Sequence, residues 1–169
     1  MGKPAPPVFG FAGSSGSGKT TLMEGVIPVL VGLGWRVSVI KHTHHAVDLD
    51  RPGKDSFRHR AAGASEVLLA SGSRWALLHE LRGESEPELP ALLERFSPCD
   101  LVLVEGFKRQ PIPRIEIRRA GDARPPLFPE DPHIVAVATD TLVDTRLPVL
   151  GLSDYNAVAA FILRHLGLG

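Results

Sequence analysis

Cysteine is almost absent: Cys99 stands alone among 169 residues. No disulfide can form within the chain, and the cytoplasm is the default compartment. An excess of one charge is absent too. Nineteen Lys and Arg balance nineteen Asp and Glu, which argues against a protein that coats nucleic acid, since such binding neutralises many phosphates at once. Long apolar runs are missing. The first seven residues hold one lysine and three prolines and read as neither a signal peptide nor a membrane span. There is no internal repeat, and no linker is long enough to divide the chain, so residues 1–169 are expected to form one domain. What is there is ordinary globular material. Hydrophobic residues make up 43%, enough for a core that needs no disulfide or metal to hold it.

Val8 to Ala12 is a short apolar run before a glycine-rich loop and reads as a buried strand. A helix is expected from Gly18 to about Leu33, with Gly34 as its stop and Pro28 bending it or removing one backbone bond. Arg36 to Ile40 reads as the second strand. A polar, histidine-rich loop follows from Lys41 to Lys54, then a short helix over Asp55 to Ala62. Glu66 to Ala70 and Trp75 to Leu78 flank Ser71-Gly72-Ser73-Arg74, the spacing of a hairpin. Glu86 to Phe96, with apolar Leu89, Leu92, Leu93 and Phe96, predicts a helix. Asp100 to Val104 is apolar after its first residue, as expected of a central parallel strand covered on both faces. Pro111 to Arg118 alternates through Ile112, Ile115 and Ile117. A proline-rich loop, Gly121 to Pro132, precedes strands at Ile134 to Ala138 and Pro148 to Leu150, and Tyr155 to Leu166 is a closing helix. This alternation predicts a three-layer α/β domain with a mainly parallel central sheet and an inserted β-hairpin.

Gly13-Ser14-Ser15-Gly16-Ser17-Gly18-Lys19-Thr20 carries the strongest chemical signal. Glycines let backbone amides turn inward around phosphate oxygens. Lys19 would bridge the terminal phosphates and the Thr20 hydroxyl would be a Mg²⁺ ligand. The start of the following helix adds partial positive charge behind the anion. The alternative is a flexible turn, but the pattern sits between a strand and a helix. The second signal is Glu105, which emerges where ligands bind in such sheets. It fits a Mg²⁺ ligand through water, a residue that polarises an attacking water, or a strand-end salt bridge. Gly106 beside it allows close approach.

Lys41-His42-Thr43-His44-His45, with Asp48 and Asp50, also follows a strand. These residues suit a transition metal, an anionic ligand, or a solvated loop. Asp140 ends another strand. Guanine presents two adjacent donors that one carboxylate accepts together, which makes Asp140 a candidate base reader; an aspartate capping a turn is the other reading. Lys108, Arg109, Arg114, Arg118 and Arg119 form a loose basic group that faces a phosphorylated ligand or is solvated. Cys99 reads as a buried structural thiol.

The segments Gly13 to Leu22, Ile40 to His45, Asp50-Arg-Pro-Gly-Lys-Asp-Ser56 and Leu103-Val-Glu-Gly-Phe-Lys108 together resemble the MobB family of molybdopterin-guanine dinucleotide biosynthesis adapter proteins. The resemblance covers nearly the whole chain. It implies a P-loop NTPase fold, usually as a homodimer, that binds GTP with Mg²⁺. It implies assistance to a MobA-like molybdenum cofactor guanylyltransferase, which joins GMP to molybdopterin, and a weak GTPase activity. Molybdopterin or Mo-molybdopterin is a further ligand it allows; nucleic acid and membrane are not among the partners. By resemblance, Gly16 to Thr21, including Thr21 itself, bind phosphate. Glu105 sits near Mg²⁺ and with Lys19 forms the candidate catalytic pair. His42, His44 and Lys54 line the mouth of the site.

Two other classes remain open. A small-molecule kinase would need an arginine-bearing lid, and the stretch Gly121 to Pro132, which has Arg124, makes a poor moving lid because of its prolines. A nickel-inserting GTPase would use the histidine segment, though cysteine and longer histidine tracts are missing from it.

Overall fold

The computed structural model describes residues 5–43 and 47–169. The chain divides into two compact units, Met1–His42 with Leu89–Gly169, and Thr43–Glu88. The larger unit holds strands β1 (Val8–Ala12), β2 (Val37–Lys41), β5 (Leu101–Glu105), β6 (Arg114–Arg118), β7 (Ile134–Thr139) and β8 (Val149–Gly151). They form one six-stranded sheet in the order β2-β5-β1-β6-β7-β8, and every adjacent pair is parallel. Helices α1 (Lys19–Gly32), α3 (Leu89–Leu93) and α4 (Tyr155–His165) cover it. The smaller unit holds α2 (Asp55–Ala61) and an antiparallel hairpin of β3 (Glu66–Ala70) and β4 (Trp75–His79). No helix among the described residues is long and apolar enough to cross a membrane.

Side chains alternate across a strand, and β5 shows the consequence. Leu101 and Leu103 enter the core with α1 and α4, while Val102 and Val104 enter the core with Leu89 of α3. All four are fully buried, which explains why a central strand reads as a continuous apolar run. The sheet is thus the middle of three layers. The α1–α4 contact depends on Gly25, where a Cβ would collide with the Tyr155 ring.

Prolines account for two departures from the sequence expectation. The helix expected over Glu86 to Phe96 is only Leu89–Leu93. Pro90 lacks a backbone donor and is tolerated only in a first turn, so the helix cannot begin much earlier. Beyond Leu93 the chain tightens into three-residue turns, with Arg95 N donating to Leu92 O and Phe96 N to Leu93 O. The strand expected from Pro111 begins at Arg114, because Pro111 and Pro113 cannot donate to a ladder.

The third departure concerns β6. Ile115 and Ile117 face the core as the alternation predicts. On the opposite face, Arg114 and Glu116 are also buried, at 3% and 1% exposure. Arg114 is therefore not part of an open basic group. Its guanidinium donates to the carbonyls of Lys108, Gln110 and Ile112 and pairs with Asp131 at 3.5 Å. Glu116 accepts from Leu127 N at 3.0 Å, Phe128 N at 2.9 Å and Arg118 Nη1 at 3.2 Å. Arg118 in turn donates to the carbonyls of Asp122 and Arg124, at 3.4 and 2.9 Å. Positions 114, 116 and 118 share one face of the strand. They grip the following loop at residue 131, at 127 and 128, and at 122 and 124 in turn. The loop is laced back antiparallel over β6.

Candidate nucleotide-binding site

The loop 13–18 joins β1 to α1. Gly13 has φ 142°, and a Cβ there would lie 2.7 Å from Ile117 O and 2.7 Å from Ser17 Oγ, so no other residue fits. Lys19 Nζ folds back onto the loop, donating to Gly13 O at 3.1 Å and Ser14 O at 2.8 Å. Burial pushes its pKa down; Glu105 opposes this, and Lys108, Lys41 and Arg124 add to it. Several cations thus share one small region, an arrangement that favours a bound polyanion. Ser17 Oγ is buried beneath the loop with no hydrogen-bond partner among the described residues.

Glu105 is the last residue of β5. Its carboxylate lies 3.2 Å from Thr20 Oγ1 and 3.5 Å from Lys41 Nζ. Lys41 is its register partner on β2, so strand pairing brings these two groups to the same level beside the loop. His42 N donates to Glu105 O at 2.8 Å, and the His42 ring lies 4.4 Å from the Phe107 ring, centroid to centroid. That fit requires Gly106, whose φ is 101° and whose Cβ would meet His42 at 2.8 Å. The sequence-predicted residues Gly13 to Thr21, Lys41, His42 and Glu105 are therefore neighbours. Asp140 follows β7 at the same end of the sheet. One of its oxygens, Oδ1, accepts from Ala120 N at 2.7 Å.

Lys54 and the aspartates lie in the smaller unit. Lys54 is exposed and N-caps α2 without a side-chain hydrogen bond. Asp50 accepts from Ser56 Oγ at 2.7 Å and pairs with Arg60, which also pairs with Asp48 and Glu80. The backbone N–H of Asp50, and then Arg60, lower the pKa of Asp48, and the Ser56 hydroxyl foremost lowers that of Asp50. The two carboxylates offered to a transition metal by the sequence are thus bound to a guanidinium. His44 and His45 lie outside the described residues.

Sequence reasoning missed Asp122; it named Arg119 only within a loose basic group and Arg124 only as a lid arginine, without their contacts to the loop. Asp122 Oδ2 accepts from Ser14 Oγ at 2.7 Å, and Asp122 Oδ1 accepts from Arg124 Nε at 2.8 Å. Arg124 Nη2 reaches Ser15 O at 3.3 Å. The Arg119 guanidinium rests on Gly18, where a Cβ would be 2.7 Å from Nη2. No local pattern announces these contacts, because Asp122 and Arg124 meet the loop from more than a hundred residues away.

The residues fit a magnesium nucleotide. The loop backbone, the folded-back lysine and the helix start suit phosphate oxygens. The Thr20 hydroxyl beside the Glu105 carboxylate supplies the hard oxygen donors that Mg²⁺ takes.

A lysine-bearing glycine loop between the first strand and first helix of a parallel sheet, at the sheet's C-terminal rim, defines a P-loop NTPase-like protein. The family model described as molybdopterin guanine dinucleotide synthesis protein B, MobB, matches residues 8–140. The chain belongs to the MobB family. The molybdopterin-guanine dinucleotide biosynthesis adapter protein of Escherichia coli is 43% identical over 168 residues, covering 98% of this chain and 96% of that protein. The adapter protein of the same name from Haemophilus influenzae is 43% identical over 159 residues, covering 92% and 87%. The crystal structure of a molybdopterin-guanine biosynthesis protein B superposes with TM-score 0.76 at 29% identity, covering 94% of this chain and 99% of that one. Bacillus subtilis MobB has the same fold, with TM-score 0.75 at 24% identity over 95% and 98% of the two chains.

Proposed function

We propose that this chain binds GTP with Mg²⁺ and acts as an adapter in molybdopterin-guanine dinucleotide biosynthesis, assisting a MobA-like guanylyltransferase that attaches GMP to molybdopterin. The observation that carries the nucleotide reading is the convergence of Lys19, Thr20, Lys41 and Glu105 on one loop. The adapter role rests on family membership and on relatives that carry that name along almost their full length.

In this reading Lys19 exchanges the Gly13 and Ser14 carbonyls for phosphate oxygens. Thr20 and Glu105 would hold Mg²⁺, which would supply charge neutralisation at the phosphates. Lys19 and Glu105 also supply a weak GTPase, Glu105 by orienting water. A homodimer belongs to the same proposal. Leu68, Leu77 and Trp75 share one face of the hairpin and are 61%, 41% and 62% exposed, an apolar surface suited to a second copy. Light scattering at working concentration reads the dimer directly.

Calorimetry with GTP, ATP and GMP, with and without Mg²⁺, tests the nucleotide reading. GTP is expected to bind most tightly and only weakly without Mg²⁺. Lys19→Ala should lose at least tenfold in affinity, as expected when a charge-assisted phosphate contact is removed. Unchanged affinity in that variant sinks the assignment.

A further inference from the structure

Arg124 occupies an unusual position for a surface arginine. Its Nε is tied to Asp122, and Asp122 is tied to the phosphate loop through Ser14 Oγ. Its Nη2 reaches over the loop to Ser15 O, but at 3.3 Å this is a long bond to a neutral acceptor. The side chain remains 56% exposed. The guanidinium is thus aimed at the loop without being consumed by it.

The loop that carries Arg124 is held in place. Arg118 and Glu116 grip it from β6 on either side of Pro125 and Pro126. The prolines that make it a poor moving lid make it a good fixed arm, because little chain entropy remains to be lost on binding. Lys19 points its ammonium at Gly13 O and Ser14 O, and Arg124 meets the very next residue. Both cations meet carbonyls in the first half of the loop, Gly13 to Ser15. Because a P-loop lysine bridges the outer phosphates, a cation sharing its stretch of loop is placed to reach the terminal phosphate of a triphosphate. A planar guanidinium also matches phosphate oxygens two at a time, which a lone carbonyl cannot offer.

We propose that Arg124 is a phosphate-reading residue supplied in cis: Asp122 holds it over the P-loop, and its guanidinium exchanges Ser15 O for the terminal phosphate of a bound nucleoside triphosphate. This deepens the nucleotide reading above and rests on it. The arm distinguishes a triphosphate from a diphosphate, which lacks the group Arg124 reaches. Asp122 keeps Nε throughout, so the guanidinium pivots rather than searches. The chain thereby acquires a way to register which nucleotide it holds without a moving lid.

The test is calorimetry of GTP and GDP, each with Mg²⁺, on the full chain and on Arg124→Ala, Arg124→Lys and Lys19→Ala. Arg124→Ala should weaken GTP about tenfold, the scale of one charge-assisted phosphate contact, and leave GDP within twofold. Arg124→Lys should recover part of the GTP loss, because it keeps the charge but not the fork. Thermal melting checks that the variants fold; the exposed side chain predicts that they do. If GTP and GDP change by the same factor in Arg124→Ala, or neither changes, the inference is wrong. Should Lys19→Ala lose both nucleotides at the same time, the P-loop reading stands and only the role of Arg124 falls. If the unaltered chain binds neither nucleotide, both readings fall together.

Discussion

Glutamine in place of Glu116 would keep the volume and remove the charge. The side chain is 1% exposed and sits where the strand meets its returning loop. Its two oxygens accept from Leu127 N, Phe128 N and Arg118 Nη1 at 2.9–3.2 Å. An amide has one acceptor oxygen, and its NH₂ would then face either Arg118 or the backbone N–H groups, donor against donor. At roughly 1.5–3 kcal/mol for a hydrogen bond to a charged group, losing one or two of these and adding that clash costs about 2–4 kcal/mol. Alanine also removes the contact volume and leaves Arg118 without its carboxylate, so about 3–5 kcal/mol is expected. Either loss is a large part of the roughly 5–15 kcal/mol that holds a domain together. Urea unfolding at neutral pH reads both variants, with stability taken from the midpoint and slope. Because glutamine is nearly isosteric, its loss reports hydrogen bonding rather than packing. A destabilisation below about 1 kcal/mol in both variants would refute the reasoning.

Three further outcomes follow from single contacts. Gly25→Ala should lower Tm: alanine gains about 1 kcal/mol of helix propensity, but overpacking against Tyr155 costs about 1–3 kcal/mol, and a rise in Tm would show that the ring moves freely aside. The Arg124 and Ser14 hydrogen bonds hold the Asp122 carboxyl well below the usual carboxylate range, so its contribution is fully present above the unfolded value and is lost as pH falls through the folded one. The stability gap between the unaltered chain and Asp122→Asn should therefore stay constant from about pH 8 to 6 and shrink in acid; a gap that widens on acidification contradicts the hydrogen-bond assignment. Asp140→Asn should reduce the preference for GTP over ATP while Ala120 N keeps an acceptor, and an unaltered affinity ratio would assign base reading to another residue.

The parts of the molecule legible in its sequence are those set by local chemistry. The P-loop is one, because eight consecutive residues carry both its backbone shape and its side chains. β1 and β5 are others, since burial on both faces leaves an uninterrupted apolar run. The hairpin was legible from its spacing, β3 to the residue and β4 to within one, at His79. Less legible was anything decided by a proline's neighbours, as the shortening of α3 and β6 shows. Least legible were buried charges. Arg114 looks like a surface cation until the loop after β6 brings Asp131 to it and the turn before β6 folds the carbonyls of Lys108, Gln110 and Ile112 around it. Asp122, and the contact of Arg124 with the phosphate loop, escaped because their partners there are more than a hundred residues away and periodicity carries no record of them.

The lacing between β6 and its loop sets a constraint on chain length rather than on composition. Three rungs, from residues 114, 116 and 118, meet the loop at fixed stations. Many substitutions between the stations leave the rungs intact. A single inserted or deleted residue does not, because it moves every later station past its partner and leaves a buried charge stranded. Most surface loops are where a domain absorbs changes of length. This one is metered against a strand, so length variation in the larger unit should be displaced to other connections, such as the exposed stretch around Leu142 between β7 and β8.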